Sequence, residues 1–228
     1  MKYLSALLTQ ASGSIGGATA SSNRGGNYFR ARVAPVQPRS EAQQAVRARL
    51  SALSSKWRTL TPSQIAGWNS LASTVTLHDA LGNSYKPTGA QLFTGNNCNL
   101  DDVGQPAIED APASAPTLPD ITPVTAVGGA APTTLQVSVG LTAAPTGNSF
   151  LIKATPQLSP GVSYIGQSRF RILQFFNATD YNTLDCSEAY ETLFGDIVLG
   201  SSISVSVEMV NLATGFKGIA ASTFVIYQ

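Results

Sequence analysis

The sequence is poor in the residue types that carry out chemistry. In 228 residues it has one histidine, His78, two cysteines, Cys98 and Cys186, and only 12% charged residues. With no metal-ligand or nucleophile pattern around it, that histidine is no partner for an activated Ser or Cys. The two cysteines are too few and too far apart for a disulfide framework, and each reads as a small buried hydrophobe. Paired carboxylates suited to acid and base work are lacking as well. Asp101-Asp102 and Glu109-Asp110 are neighbours in sequence, and neighbours on an extended chain point apart. Gly13-Ser14-Ile15-Gly16-Gly17 lacks the lysine and the preceding strand of a phosphate-binding loop. The expectation is a chain that is not an enzyme and that needs no metal or cofactor. Long hydrophobic runs are missing too: none approaches the roughly 20 residues of a membrane span. The apolar run that follows Lys2 and ends at Thr9-Gln10 is too short for the roughly 7–15 residues of a signal peptide's apolar region. A soluble protein made in the cytoplasm, with no membrane partner, is expected.

Acid is almost absent from the first quarter. Residues 1–60 hold nine basic residues against the single acid Glu41, a net of +8, and the remaining residues hold five bases and twelve acids, a net of −7. A basic front joined to an acidic remainder suits a front that meets a negative surface, either nucleic acid or the acidic part of another copy.

Four stretches follow one another. Residues 1–38 are glycine-studded and basic, and Pro35 and Pro38 block helix, so an extended arm is expected with no lasting period between Ala11 and Pro38. Within it Asn27 to Val36 suits a short strand, with Tyr28, Arg30 and Arg32 on one side and Phe29, Ala31 and Val33 on the other. Residues 39–104 form a helical region. Ser40–Gln43 and Thr61–Gln64 are capping boxes, and Val46, Leu50, Leu53 and Trp57 make an apolar stripe bordered by Arg49 and Lys56 on one side and Arg47 and Arg58 on the other. A second helix carries Ile65, Trp68, Ala72 and Val75, with Trp57 and Trp68 as packing partners in a helical hairpin. A third S/T-x-x-Q pattern at Thr88 opens a helix over Gly89–Asp102. Residues 105–132, rich in proline and alanine, read as a semi-rigid spacer whose acids Glu109, Asp110 and Asp120 are solvated.

After the spacer the period becomes two. Leu135, Val137, Val139 and Leu141 alternate with polar or small residues, as do Ile203, Val205, Val207 and Met209. Further strands are expected at Ser149–Thr155, Arg169–Phe175, Glu188–Phe194 and Ala220–Tyr227, with a hairpin turn at Asn211–Gly215. Residues 133–228 therefore suit an antiparallel β-sandwich, and the whole chain an α+β multidomain protein.

The combination of Gly13-Ser14-Ile15-Gly16-Gly17, Asn23-Arg24-Gly25-Gly26-Asn27-Tyr28-Phe29-Arg30-Ala31-Arg32, Pro35-Val36-Gln37-Pro38 and Gln43-Gln44-Ala45-Val46-Arg47 resembles a family of uncharacterised bacteriophage and prophage proteins encoded among virion genes. Trp57, Leu60-Thr61-Pro62-Ser63-Gln64, Trp68 and Gly89-Ala90-Gln91-Leu92-Phe93 belong to the same likeness, which covers about the first 100 residues. Ser22, Gln37 and Arg39 depart from it, standing where Arg, Asn and a small hydroxyl residue are expected. The resemblance implies a basic amino-terminal stretch, a carboxy-terminal sandwich similar to fibronectin III or immunoglobulin-like domains, a virion structural role, and no catalytic residues.

The expected partners are other virion proteins or further copies of the chain. The residues expected to meet them are Gly16, Gly17, Arg24, Gly25, Gly26, Tyr28, Phe29, Arg30, Arg32, Arg47 and Arg58. Nucleic acid is the alternative partner, since arginines interleaved with Tyr28 and Phe29 suit phosphate contacts and base stacking. A glycan-binding role for the sandwich has no patterned aromatic cluster to support it.

Overall fold

The computed structural model describes residues 13–23, 26–34, 36–78, 84–121, 124–128, 134–141, 146–159, 161–162, 165–177 and 183–227. Among these residues the chain is mixed α+β, with four α-helices and antiparallel strand pairing throughout. It divides into two compact units, Met1–Ala45 and Val46–Gln228.

In the first unit β1 (Gly13–Ile15), β2 (Ala18–Asn23) and β3 (Gly26–Ala31) form a three-stranded sheet in that order. This corrects the expectation that no period lasts between Ala11 and Pro38. Ala18 and Ala20 alternate with Thr19 and Ser21, a period of two written in side chains too small to stand out in hydropathy. Gly16 and Gly17 join β1 to β2, and Gly16 has a positive φ of 56°, as the first central residue of a II′ hairpin turn requires. Arg39 has a φ of 52°, a left-handed conformation uncommon for a residue with a Cβ, immediately before α1 (Glu41–Thr59). At the start of α1 the Ser40 Oγ accepts from the Gln43 N–H at 3.4 Å, and the Gln44 amide donates back to the Arg39 carbonyl at 2.7 Å.

The second unit begins with helices. α2 (Pro62–Thr74) follows α1 after a few residues, then the two-residue strands β4 (Leu77–His78) and β5 (Ser84–Tyr85), then α3 (Gly89–Asp102). Of the three expected capping boxes, those at Thr61 and Thr88 are formed in full, whereas at Ser40 the amide that reaches back is that of Gln44 and not the expected Gln43. The Gln64 N–H donates to Thr61 Oγ1 at 3.3 Å while the Thr61 N–H donates to Gln64 Oε1 at 2.9 Å, and Thr88 and Gln91 repeat the arrangement with the same distances. His78 lies exposed opposite Ser84. The expected pairing of Trp57 with Trp68 is mediated by a third ring: Phe93 of α3 lies with its centroid 5.4 Å from each. Leu53, Leu60, Leu71 and Leu92 complete this helical core.

In the expected spacer, residues 105–111 pack along the helices, and Leu118 and Ile121 pack into the core between the sheets described below. Ala107, Ile108 and Ala111 lie against the helical core, and the buried Trp68 Nε1 donates to the Glu109 carbonyl at 2.8 Å. The Asn97 side chain brackets Ile108, accepting from its N–H at 2.7 Å and donating to its carbonyl at 3.1 Å. Proline excludes helix here, but it leaves carbonyls and apolar side chains free to pack.

Next come β6 (Val124–Gly128), inside the stretch expected to be spacer, then β7 (Leu135–Val139), β8 (Asn148–Ala154), β9 (Arg171–Asn177) and β10 (Leu184–Asp185). Residues Glu188–Phe194 are not the strand expected but most of α4 (Ser187–Phe194). The alternation of apolar positions there is outweighed by Tyr190 and Phe194, four residues apart on one helical face with ring centroids 4.9 Å apart. β11 (Ser202–Asn211) and β12 (Ala221–Ile226) end the described fold. One sheet runs β10-β7-β6 and the other β12-β11-β8-β9. Leu135, Val137, Phe150, Ile152, Ile203, Val205, Val207 and Val225 come from both sheets into one core, to which α4 adds Tyr190.

The turn at Asn211–Gly215 fastens the sheets to the helices. Asn96 and Asn99 of α3 donate to the carbonyls of Thr214 and Gly215 at 3.0 and 2.8 Å, and Phe216 packs on the helical core. Gly215 has a φ of 71°, and a Cβ there would run into the Asn96 carbonyl, so this contact needs glycine.

Candidate interaction surface

The three-stranded sheet of the first unit has two unlike faces, because cross-strand partners share a face. Ser14, Thr19 and Arg30 stand in one row, Ser21 and Tyr28 in the next, all on the polar face. The Ser14 and Thr19 hydroxyls are 2.7 Å apart. Ile15, Ala18 and Ala31 form a row on the other face, with Ala20 and Phe29 beside them. Ile15 is 89% exposed, and Val33 and Val36 beyond β3 are 79% and 89% exposed. Arg32 is anchored by its N–H, which donates to the Gly17 carbonyl at 2.8 Å, while its side chain is exposed.

The structure thus brings Gly16, Gly17, Tyr28, Phe29, Arg30 and Arg32 onto one small sheet or its borders. Gly26 opens β3, and Arg24 and Gly25 lie outside the described residues. Sequence reasoning missed Ile15, Val33 and Val36 as surface features. Their signal was isoleucine and valine set among glycine and proline, where no core can form around them.

Helix α1 treats its two basic borders differently. Arg49 Nη1 lies 3.0 Å from Asp101 and 2.6 Å from Asp102, and Lys56 Nζ lies 3.1 Å from Glu109. The hydrogen bond that Arg49 donates to Asp102 holds the guanidinium more firmly in its charged form. Asp110 accepts from the Gln64 amide at 2.9 Å. These acids were expected to be solvated or to point apart. The end of α3 instead presents Asp101 and Asp102 to one guanidinium. Arg47 and Arg58, on the other border, are exposed. The apolar stripe also divides: Leu53 and Trp57 pack inward, whereas Val46 and Leu50 are 49% and 45% exposed.

Cys98 and Cys186 are both free thiols, and burial pushes the Cys186 thiol up to about 12. Among the described residues no cluster of His, Cys, Asp or Glu could hold a metal ion. Among them, too, no helix is long and apolar enough to cross a membrane.

No protein-family model matches the chain, and no curated protein matches it in sequence.

Proposed function

We propose that the chain is a structural component of a bacteriophage particle that docks on neighbouring subunits through its basic amino-terminal arm. The observation that carries this reading is the exposure of Ile15, Val33 and Val36, large apolar side chains that find no core, in a unit that also exposes Arg30 and Arg32. Full burial of each such side chain against a partner is worth roughly 1.5–3 kcal/mol. The acidic remainder of a second copy, or an acidic neighbour, supplies the complementary charge. In the second unit Val46 and Leu50 give α1 an exposed apolar strip of its own, a further site for a neighbour.

In this reading the second unit carries a β-sandwich of the fibronectin III or immunoglobulin-like kind. Lettered A, B, C, C′, E, F and G, strands β6 to β12 give sheets E-B-A and G-F-C-C′, an order that supports the assignment. Removing residues 1–38 is expected to leave the second unit folded and to abolish incorporation into particles, scored by gel analysis of purified virions. Normal incorporation of the truncated chain overturns the docking role.

Nucleic-acid binding is the second reading, favoured by Tyr28 and Arg30 on one face of β3. The engagement of Arg49 and Lys56 by the chain's own acids removes two cations from it. Affinity for DNA that falls steeply with salt supports this reading, and absence of binding at low salt removes it.

A further inference from the structure

The outer face of the β11–β12 pair carries a slot of about 240 Å³ that the docking role does not use. Its position follows from strand register. Ser204 lies opposite Phe224 and Ser206 opposite Ser222, so all four side chains stand on one face. The segment around the 3-10 turn Gln167–Arg169 crosses that face and adds Gln167 and Phe170 as a second wall.

The chemistry of the slot is narrow. Ser204 and Ser206 are buried, and Ser206 is only 6% exposed. Ser204 Oγ donates to the Thr223 carbonyl at 3.3 Å, which leaves its oxygen free to accept. The Ser206 hydroxyl meets no partner among the described residues, although a buried hydroxyl without a hydrogen bond is disfavoured. Ser222 and Gln167 stand exposed beside it with groups that both donate and accept. Phe170 and Phe224 provide apolar ring surface, and the lining contains no charged side chain.

We infer that this slot binds a neutral, hydroxyl-rich ring, such as a single hexose unit of a surface glycan. Of two adjacent sugar hydroxyls one can accept from Ser206 and the other donate to it, while the carbon-bound face of the ring lies against Phe224 or Phe170. An anionic ligand finds no cation in the slot and a cationic one no carboxylate, so the uncharged lining selects against both. The slot is smaller than the roughly 300–1,000 Å³ pockets of drug-sized ligands, which fits one ring and not an extended chain. Sequence reading could not assemble it, because Gln167, Phe170, Ser206 and Phe224 come from three separate segments.

The test uses the full chain, isotopically labelled, titrated with methyl glucoside, methyl galactoside, methyl mannoside and N-acetylglucosamine. Saturable amide shifts confined to the surroundings of Ser204, Ser206 and Ser222, for at least one of these sugars, are expected. Ser206→Ala removes no existing hydrogen bond, so it should keep the thermal midpoint of the parent and weaken that sugar about fivefold, the loss of one hydrogen bond. Phe224→Ala should weaken it as well. Absence of shifts with all four sugars overturns the inference, as does binding unchanged by both substitutions. Shifts at these positions with triglycine instead of any sugar also overturn it, and would mark a peptide site. None of these results depends on incorporation of the chain into particles, so the docking role stands or falls separately.

Discussion

Glu208 shows how one side chain combines burial with charge. Burial alone would raise its carboxyl pKa, but hydrogen bonds from Lys153 at 2.7 Å and Lys217 at 3.0 Å outweigh that and hold it below the usual 4.5. A carboxylate with a lowered folded-state pKa contributes stability that is fully present above its unfolded value and is lost as pH falls through the folded one. Urea midpoints measured from pH 7 down to about pH 3 should therefore decline on the acid side. Glu208→Gln should be less stable at pH 7, where it strands Lys153, and should show a shallower acid decline. Parallel declines for parent and variant would remove Glu208 as a source of the pH dependence. The same carboxylate fastens Lys217, which follows the turn that joins sheet to helix.

At the scale of elements, α1 is two helices in energetic terms. Its second half is held by Leu53 and Trp57, and its first half exposes Val46 and Leu50. Leu53→Ala should cost about 2–4 kcal/mol by denaturant unfolding. Val46→Ser with Leu50→Ser should change stability by less, about 0.5–1 kcal/mol, yet reduce incorporation into particles. A large stability loss from the double variant would show that the exposed half is packed after all. The stripe itself was legible in the sequence, as were the capping boxes at Thr61 and Thr88, because a cap is a local rule read from four residues. Strands were legible where large apolar residues alternate, as in β7 and β11, but their partners were not. The small-residue strand β2 carried too little hydropathy contrast to be seen. The helix α4 was misread because its eight residues alternate nearly as well as they repeat every four. Of the interaction surface, Tyr28, Arg30 and Arg32 could be placed on one side from the strand period alone. The inward use of Arg49 and Lys56 could not, since their acids lie about fifty residues away.

For the whole molecule, the unequal spread of charge separates two tasks. The front of the chain spends its cations outward through Arg30 and Arg32, whereas the second unit matches several of its own charges internally. Residues 105–121, expected to hold the sandwich away from the helices, instead pack on both parts, with Ala107, Ile108 and Ala111 on the helical core and Leu118 and Ile121 on the core of the sheets. The turn at Asn211–Gly215 adds a second bond between the same parts through Asn96, Asn99 and Phe216. Heat should consequently melt residues 46–228 in one calorimetric transition, with equal calorimetric and van't Hoff enthalpies. Two resolved transitions would mean that the joints are weaker than either core. Under mechanical load the Gly215 joint would act as a rivet, so that helices and sheets would come apart together or not at all.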